Sequence, residues 1–283
     1  MTAVASDFTA GFYPDVPEVD YHSGKFGPIE GSLSQSGAKL LLKAPALFKY
    51  RQENPEWKQV FDFGTAAHQK VLGKGAEIVV HEPDPKVKSP RSTNAWKDQQ
   101  AEVRARGAAL LLPDEYDRVC DMATELEKNS LAMELLTAGD QELTAYAPHE
   151  PTGVWRRVRF DHLSDDIGVD YKSAVTADPD ELGRSFYKWG YHIQHAFYLD
   201  VARDLGHPIK AIAYVVQEKE PPYLVSVVEL VPDAVQLGRE KAAAALERYR
   251  DCMASGVWPG YQPDGVFTPI SLPAYAYYER DAS

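Results

Sequence analysis

The feature that most constrains the fold is a pair of neighbouring β-strand patterns at residues 154–163 and 167–173, joined by a short polar turn. Runs rich in β-branched and aromatic residues on both sides of such a turn predict an antiparallel hairpin. Because side chains alternate between the two faces of a strand, Asp170 and Lys172 share one face. Asp161 lies on the other strand of the hairpin, so two carboxylates and one ammonium group are predicted to converge.

These three side chains favour one kind of chemistry. Asp161 and Asp170 can together hold a hard divalent cation such as Mg²⁺. Lys172 beside them can orient a water molecule or offset charge that develops on a phosphate. The set is sufficient for metal-assisted hydrolysis of a phosphodiester. The D-x-K pattern alone is a weak signal, since a solvated hairpin can carry it by chance, and the hypothesis therefore depends on the rest of the chain.

Composition limits the class of protein. The chain has 283 residues, of which 44% are hydrophobic and 25% charged, as is typical of soluble globular proteins. No apolar run reaches the length of a membrane span, and residues 1–11 lack the basic and apolar regions of a signal peptide. Two cysteines, Cys120 and Cys252, argue against a disulfide framework or a cysteine zinc site. A reducing, cytoplasmic compartment is expected.

The net charge of −12 is opposite to the basic surface expected of a nucleic-acid-binding protein. A local basic groove can coexist with an acidic exterior, because steering depends on the local field. Two groups of basic residues could form one: Lys86, Lys88, Arg91 and Lys97, and Arg156, Arg157 and Arg159. A solvated surface explains both groups equally well.

Periodicity predicts the order of elements. Residues 1–31 are rich in Gly, Pro and acidic residues without a period, and are predicted to form an extended or poorly ordered arm. Helices are predicted at residues 34–51, 61–73, 95–106, 113–137, 178–205 and 232–255, with interruptions at Pro45 and Gly190. Strands are predicted at residues 78–81, 142–147, 154–163, 167–173, 208–217 and 223–231. This order predicts a single α/β domain at residues 32–283, with a central mixed β-sheet flanked by helices.

Five further residues could complete the site. Glu142 lies in the strand before the hairpin, and His68 follows small residues that allow close helix packing. A neutral imidazole is a good metal ligand, although a single helical histidine is more often structural. Gln194 and Tyr198 are four residues apart and share one helix face, from which they could hydrogen-bond to a substrate backbone or to Lys172. Ser173 could donate a hydrogen bond to a phosphate oxygen.

Taken in order, the motifs are G-T-x-x-H at residues 64–68, Glu142, R-x-D at 159–161, D-x-K-S at 170–173 and Q-x-x-x-Y at 194–198. This set resembles the PD-(D/E)xK nuclease superfamily, and within it the RecE-type, exonuclease VIII-like phage exonucleases. Residues 33–36 and 44–46 resemble the N-terminal helix of that family, and residues 258–261 and 270–273 resemble its C-terminal tail. The resemblance therefore covers residues 32–278.

The resemblance implies a restriction-endonuclease-like core and a Mg²⁺-dependent deoxyribonuclease, with Mn²⁺ as a substitute. Such an enzyme degrades one strand of a double-stranded DNA end in the 5′ to 3′ direction during phage-type homologous recombination. The resemblance further implies a ring-shaped homo-oligomer that partners a single-strand annealing recombinase. No association with a membrane is expected.

The same resemblance assigns roles to individual residues. The implied metal ligands are His68, Asp161, Asp170 and the backbone carbonyl of Tyr171. The implied catalytic residues are Glu142, Asp161, Asp170 and Lys172. The implied substrate contacts are Gln194, Tyr198, Ser173 and Arg91, with Arg91 as a candidate for the 5′ phosphate.

Two positions depart from the family pattern. Phe160 stands where a proline usually precedes the aspartate, but that proline is not a ligand. Tyr171 replaces a more common aliphatic residue, and its hydroxyl needs a partner if it faces the core.

Three alternatives were weighed against this hypothesis. An iron–sulfur nuclease of the Cas4-like or RecB-like kind is disfavoured, because two cysteines cannot supply four thiolates. A catalytically inactive DNA-binding or assembly protein that retains the nuclease fold stays open, although the complete set of acidic, histidine and lysine residues argues against it. A metal-dependent hydrolase of a small substrate also stays open, and a requirement for a DNA end would distinguish it.

Overall fold

A seven-stranded mixed sheet forms the centre of the fold. The computed structural model describes residues 8–23, 26–28, 31–54, 60–273 and 275–277. The strands are β1 (Gly11–Tyr13), β2 (Leu33–Ser34), β3 (Ile78–Val80), β4 (Ala109–Leu111), β5 (Asp140–Pro148), β6 (Trp155–Leu163), β7 (Ile167–Ala174), β8 (Ala211–Glu218) and β9 (Val225–Val228). The order in the main sheet is β1-β5-β6-β7-β8-β9, with β2 paired to β6, while β3 and β4 form a separate parallel pair.

Helices cover both faces of the sheet. They are α1 (Glu18–Ser23), α2 (Gln35–Lys43), α3 (Pro45–Glu53), α4 (Val60–Leu72), α5 (Asn94–Ala105), α6 (Pro113–Leu126), α7 (Ser130–Thr137), α8 (Pro179–Trp189), α9 (Tyr191–Asp204) and α10 (Pro232–Ser255). Helices α2, α9 and α10 enclose one hydrophobic core, and α4, α6 and α7 enclose a second core on the opposite side. Within the described residues, none of these helices combines the length and apolar character needed to cross a membrane.

The sheet forks between β6 and β7. The hairpin pairing between these strands covers only His162 with Val169 and Leu163 with Gly168. Past that point β7 continues along β8 in parallel register, and β2 pairs with the far end of β6 instead. Acidic side chains just beyond the fork therefore face a space between two strands rather than a continuous ladder.

The predicted alternation of β7 is confirmed. Val169 and Tyr171 are buried in the core beneath α4 and α6. The Tyr171 hydroxyl donates to Oε1 of Gln217 at 2.8 Å, which satisfies its polar group inside that core. Asp170 and Lys172 consequently point to the other face, where the fork lies.

Several predicted boundaries are wrong. The helix predicted at residues 113–137 is two helices, because the Asn129 side chain accepts a hydrogen bond from the Ala132 amide and begins α7 anew. The strands predicted at 208–217 and 223–231 are shorter, and Tyr223 has a left-handed φ of 58° that takes it out of the strand. The breaks at Pro45 and at Gly190, which has a φ of 70°, are confirmed.

Part of the predicted N-terminal arm has regular structure. Strand β1 pairs antiparallel with β5 at the edge of the main sheet, and α1 follows it. The sequence patterning gave no period here, because a three-residue strand and a six-residue helix are too short to show one. The segment is ordered by contacts with the sheet instead.

Candidate active site

Two neighbouring strands and one helix bring an imidazole and two carboxylates together beside the fork. Glu142 on β5 lies opposite Asp161 on β6, between the paired residues that flank both positions. The His68 ring reaches them from α4, with Nε2 3.0 Å from Oδ1 of Asp161 and Nδ1 3.5 Å from Oε1 of Glu142. The second oxygen of Asp161 accepts a hydrogen bond from the Tyr171 amide at 2.7 Å.

Small residues allow α4 to approach the sheet closely. A Cβ atom added at Gly64 would lie 3.9 Å from Oγ of Ser173 on β7, and Ala66 and Ala67 are fully buried. Gly64 and His68 are four residues apart and therefore share the helix face that meets the sheet. The G-T-x-x-H motif predicted this placement correctly.

Asp170 is held by different partners. The Lys172 ammonium lies 2.5 Å from Oδ2 of Asp170, and Nε2 of Gln194 donates to Oδ1 at 2.5 Å. The same ammonium lies 5.1 Å from the centre of the Tyr191 ring, a cation–π arrangement. Both oxygens of Asp170 are therefore engaged by groups of this chain.

The donor set fits a divalent cation. One ligand atom each from His68, Glu142 and Asp161 lie within 4.8 Å of one another. Oε1 of Glu142 is buried and has no hydrogen-bond partner among the described residues. That oxygen faces Nδ1 of His68 at 3.5 Å without a hydrogen bond, and a bound cation would lower the cost of burying it. Carboxylate oxygens with an imidazole nitrogen suit Mg²⁺ or Mn²⁺.

The predicted residues fall into two groups. Glu142, predicted as a catalytic residue that helps to place the metal or its water, stands with His68 and Asp161, whereas Asp170 is held by Lys172 and Gln194. The Tyr171 amide N–H donates to Asp161, and the Tyr171 carbonyl stays a predicted ligand. Spacing along the chain could not predict this grouping, because register across the β5–β6 pair decides which carboxylates meet.

The backbone at Glu142 is strained. Its φ of 54° lies in the left-handed region, which residues other than glycine rarely occupy. Such a conformation costs on the order of 1–3 kcal/mol and persists only where the surroundings impose it. The strain falls on a residue of the donor set, as is common at functional sites.

Two members of the cluster, His68 and Glu142, bind protons more tightly than they would in isolation. Burial by itself lowers the pKa of His68, but the Asp161 and Glu142 carboxylates outweigh it and raise that pKa to about 9. Burial, aided by Asp161, raises the pKa of Glu142 to about 7. The pKa of Asp161 is lowered despite its burial, because His68 and Lys172 stabilise the charged carboxylate. Protons and a cation would therefore compete for the same ligand atoms.

Two cationic side chains border the site. Burial lowers the pKa of Lys172, but the Asp170 carboxylate outweighs it and the pKa is raised, so the amine is protonated. Lys39 on α2 donates to the Trp189 carbonyl at 2.7 Å, and burial with the nearby Lys172 charge lowers its pKa to about 8. The Lys39 stem lies against Gly190, where a Cβ atom would be 2.5 Å from Cδ.

No sequence pattern indicated that Lys39 borders the site. It lies 150 residues from Trp189, and no spacing pattern connects the two. Glycine at position 190 is the one local signal, because its left-handed φ both ends α8 and admits the lysine stem.

The predicted substrate contacts fall into three places. Gln194 and Tyr198 are 2% and 6% exposed, and they support Asp170 and pack against Phe160. Ser173 lies beside Gly64 at the site. Arg91 is paired with Glu115 at 2.5 Å and lies over the Trp96 ring, and neither partner belongs to the cluster.

A mixed sheet that forks between two strands, with Asp161 on one and the D-x-K of residues 170–172 on the other, defines the PD-(D/E)xK nuclease fold. The chain belongs to the family described as "PDDEXK-like domain of unknown function (DUF3799)", whose model matches residues 34–264.

A solved structure supports the same fold. The crystal structure of a "Putative exonuclease" from Eubacterium rectale is similar to this chain with a TM-score of 0.61. It has 13% sequence identity, and the match covers 90% of this chain and 96% of that one. No curated protein matches.

Proposed function

We propose that the protein is a metal-dependent exodeoxyribonuclease that hydrolyses phosphodiester bonds from the ends of double-stranded DNA. The observation that carries this proposal is the convergence of His68, Glu142 and Asp161 beside Asp170 and Lys172 at one fork in the sheet. Mg²⁺ is the proposed cation, with Mn²⁺ as a substitute. The complete set of His68, Glu142, Asp161, Asp170 and Lys172 supports catalysis, because a protein that had kept the fold and lost catalysis would be free to lose members of it.

His68, Glu142 and Asp161 would hold the cation, and Asp170 supplies a third carboxylate beside them. A bound cation would polarise a phosphate oxygen and stabilise the oxygen that leaves. The buried position of these carboxylates excludes much of the surrounding water, which strengthens electrostatic interactions within the site.

Hydrolysis joins a water oxygen to phosphorus and breaks the bond from phosphorus to the leaving oxygen. Lys172 is protonated in its pair with Asp170 and cannot take a proton, so its proposed role is to offset charge on the phosphate. The proton that the water loses passes to the surrounding solvent, because Glu142 and Asp161 are engaged as cation ligands in the proposed site. The leaving oxygen takes up a proton, which balances the proton that the water lost.

Further details of the proposal follow from the family resemblance. We propose degradation in the 5′ to 3′ direction, a ring-shaped homo-oligomer, a single-strand annealing recombinase as partner, and a cytoplasmic role in phage-type recombination. Lys39 and Lys172 provide positive charge beside the site in a chain of net charge −12. This local charge supports binding of a DNA phosphate despite the overall balance.

The test uses linear and circular duplexes of the same sequence, with Mg²⁺ or Mn²⁺, and strands labelled at either the 5′ or the 3′ end. Early loss of the 5′ label from linear DNA, with circular DNA intact, is the expected result. Asp170→Asn and Lys172→Ala should abolish digestion. Lys128→Ala, which changes an exposed lysine just after α6 that belongs to neither basic group, is the matched control and should digest normally.

Digestion of circular DNA at the same rate would contradict the exonuclease proposal and favour an endonuclease. Hydrolysis of a small phosphodiester without any requirement for a DNA end would favour the small-substrate hydrolase. If the wild-type chain binds linear DNA but digests none with either cation, the catalytically inactive DNA-binding or assembly protein becomes the better explanation.

A further inference from the structure

The N-terminal segment reaches the active site from the edge of the sheet. Strand β1 places Tyr13 beside Thr144 on β5, and the chain then turns across β5 and β6 into α1. Tyr21 on α1 is only 7% exposed, which shows that this short helix is packed against the sheet. Residues 11–23 are called the N-terminal arm below.

The arm is anchored on Arg159. The Arg159 guanidinium donates from Nη2 to the Val16 carbonyl at 2.6 Å and lies 4.4 Å from the centre of the Tyr21 ring. A third contact, from Nε to Oγ1 of Thr144 at 2.9 Å, comes from the sheet itself. Two of these three contacts therefore involve the arm.

The same guanidinium faces the donor set. Nη1 of Arg159 lies 3.8 Å from Oε2 of Glu142, whereas Oε1 of that carboxylate is directed at His68. Oε2 of Glu142 therefore faces the Arg159 guanidinium, and Oε1 faces His68 of the donor set. The strained backbone conformation of Glu142 persists only where the surroundings impose it. Contacts with the side chain of Glu142 are part of those surroundings.

We propose that Arg159 is a positioning residue for Glu142, and that the N-terminal arm fixes Arg159 in that position through Tyr21 and Val16. The arm thereby prepares one ligand of the cation site, although none of its residues belongs to the donor set. The inference deepens the proposed function and rests on its cation site, but it does not require that the bound cation supports DNA cleavage.

A purely structural role for the arm makes a different prediction. If Tyr21 only stabilised the fold, its loss would lower stability without selectively affecting Glu142. If the proposal is correct, the loss of the ring should weaken cation binding, and this effect should depend on the Glu142 carboxylate. A double-mutant cycle separates the two cases.

The experiment measures the dissociation constant of Mn²⁺ by electron paramagnetic resonance on the full-length protein. The variants are Tyr21→Leu, Glu142→Gln and the double variant, with Tyr21→Phe as the matched control that keeps the ring. Tyr21→Leu should weaken Mn²⁺ binding about three- to tenfold, as expected for losing a partly desolvated cation–π contact. Tyr21→Phe should bind nearly as the wild type does, and Tyr21→Leu should have no added effect on Glu142→Gln.

Equal weakening by Tyr21→Leu with and without Glu142 would overturn the proposal, as would an unchanged affinity in Tyr21→Leu. Circular dichroism checks that each variant is folded. If Tyr21→Leu does not fold, Arg159→Lys takes its place in the same cycle, because lysine keeps the charge and loses the planar fork. Failure of the wild-type chain to bind Mn²⁺ would overturn the inference together with the proposed cation site. If the double-mutant cycle gives the expected coupling between Tyr21 and Glu142 but the protein does not cleave DNA, only the nuclease proposal is overturned.

Discussion

The affinity for a divalent cation should increase steeply with pH. Cation binding requires a neutral imidazole, and in the cation-free protein the pKa of His68 is raised to about 9 by Asp161 and Glu142. About 1% of His68 is therefore neutral at pH 7, and the affinity should rise about tenfold per pH unit up to pH 9. Below pH 7 the affinity should change more steeply with pH. Glu142, with a pKa of about 7, is protonated there, so the site must lose a second proton in addition to that of His68.

The assay is Mn²⁺ binding measured by electron paramagnetic resonance between pH 6 and about pH 8.5, a range chosen to limit formation of metal hydroxide. His68→Gln removes the titrating imidazole. The number of protons released for each bound Mn²⁺ should therefore fall by about one. An affinity for Mn²⁺ that is constant between pH 7 and pH 8.5 would refute the reasoning, since it would mean that His68 is already neutral before the cation binds.

The stability of the cation-free protein should change in the opposite direction. His68 and Glu142 both have raised pKa values, so the folded state holds protons that the unfolded state releases. The His68 contribution is complete below its ordinary value of 6.5 and is lost as pH rises through about 9. The Glu142 contribution is complete below 4.5 and is lost as pH rises through about 7. The melting temperature without cation should fall across this window, and added Mn²⁺ should restore it most at high pH.

Two further predictions concern stability and are measured by urea unfolding. Tyr171→Phe should destabilise the protein by about 1–3 kcal/mol, because it leaves Oε1 of the fully buried Gln217 without its donor; an unchanged midpoint would show that this hydrogen bond adds nothing. Gly238→Ala should destabilise by about 1–3 kcal/mol or more, since its Cβ atom would lie 1.9 Å from the His192 carbonyl oxygen of α9. Gly183→Ala, where nothing lies within 4 Å of the added atom, is the matched control and should be neutral or stabilising by up to about 1 kcal/mol.

Local sequence was sufficient for most of the secondary structure and for part of the site. The alternation along β7 predicted that Asp170 and Lys172 share a face, and Nζ of Lys172 lies 2.5 Å from Oδ2 of Asp170. Pro232 and Gly256 delimit α10 as predicted, because proline fits the first turn of a helix and glycine fits the left-handed residue after it. These features depend on residues a few positions apart, whose geometry the backbone fixes.

Tertiary structure decided which predicted site residues lie together. The pairing of β5 with β6 places Glu142, rather than Asp170, with His68 and Asp161, and packing of α2 against the α8–α9 junction places Lys39 beside Lys172. The N-terminal arm has no periodicity, and its order depends on contacts with distant segments such as β5 and Arg159. Contacts between distant segments depend on strand order, register and helix packing, and these follow from burial of the whole chain rather than from any local pattern.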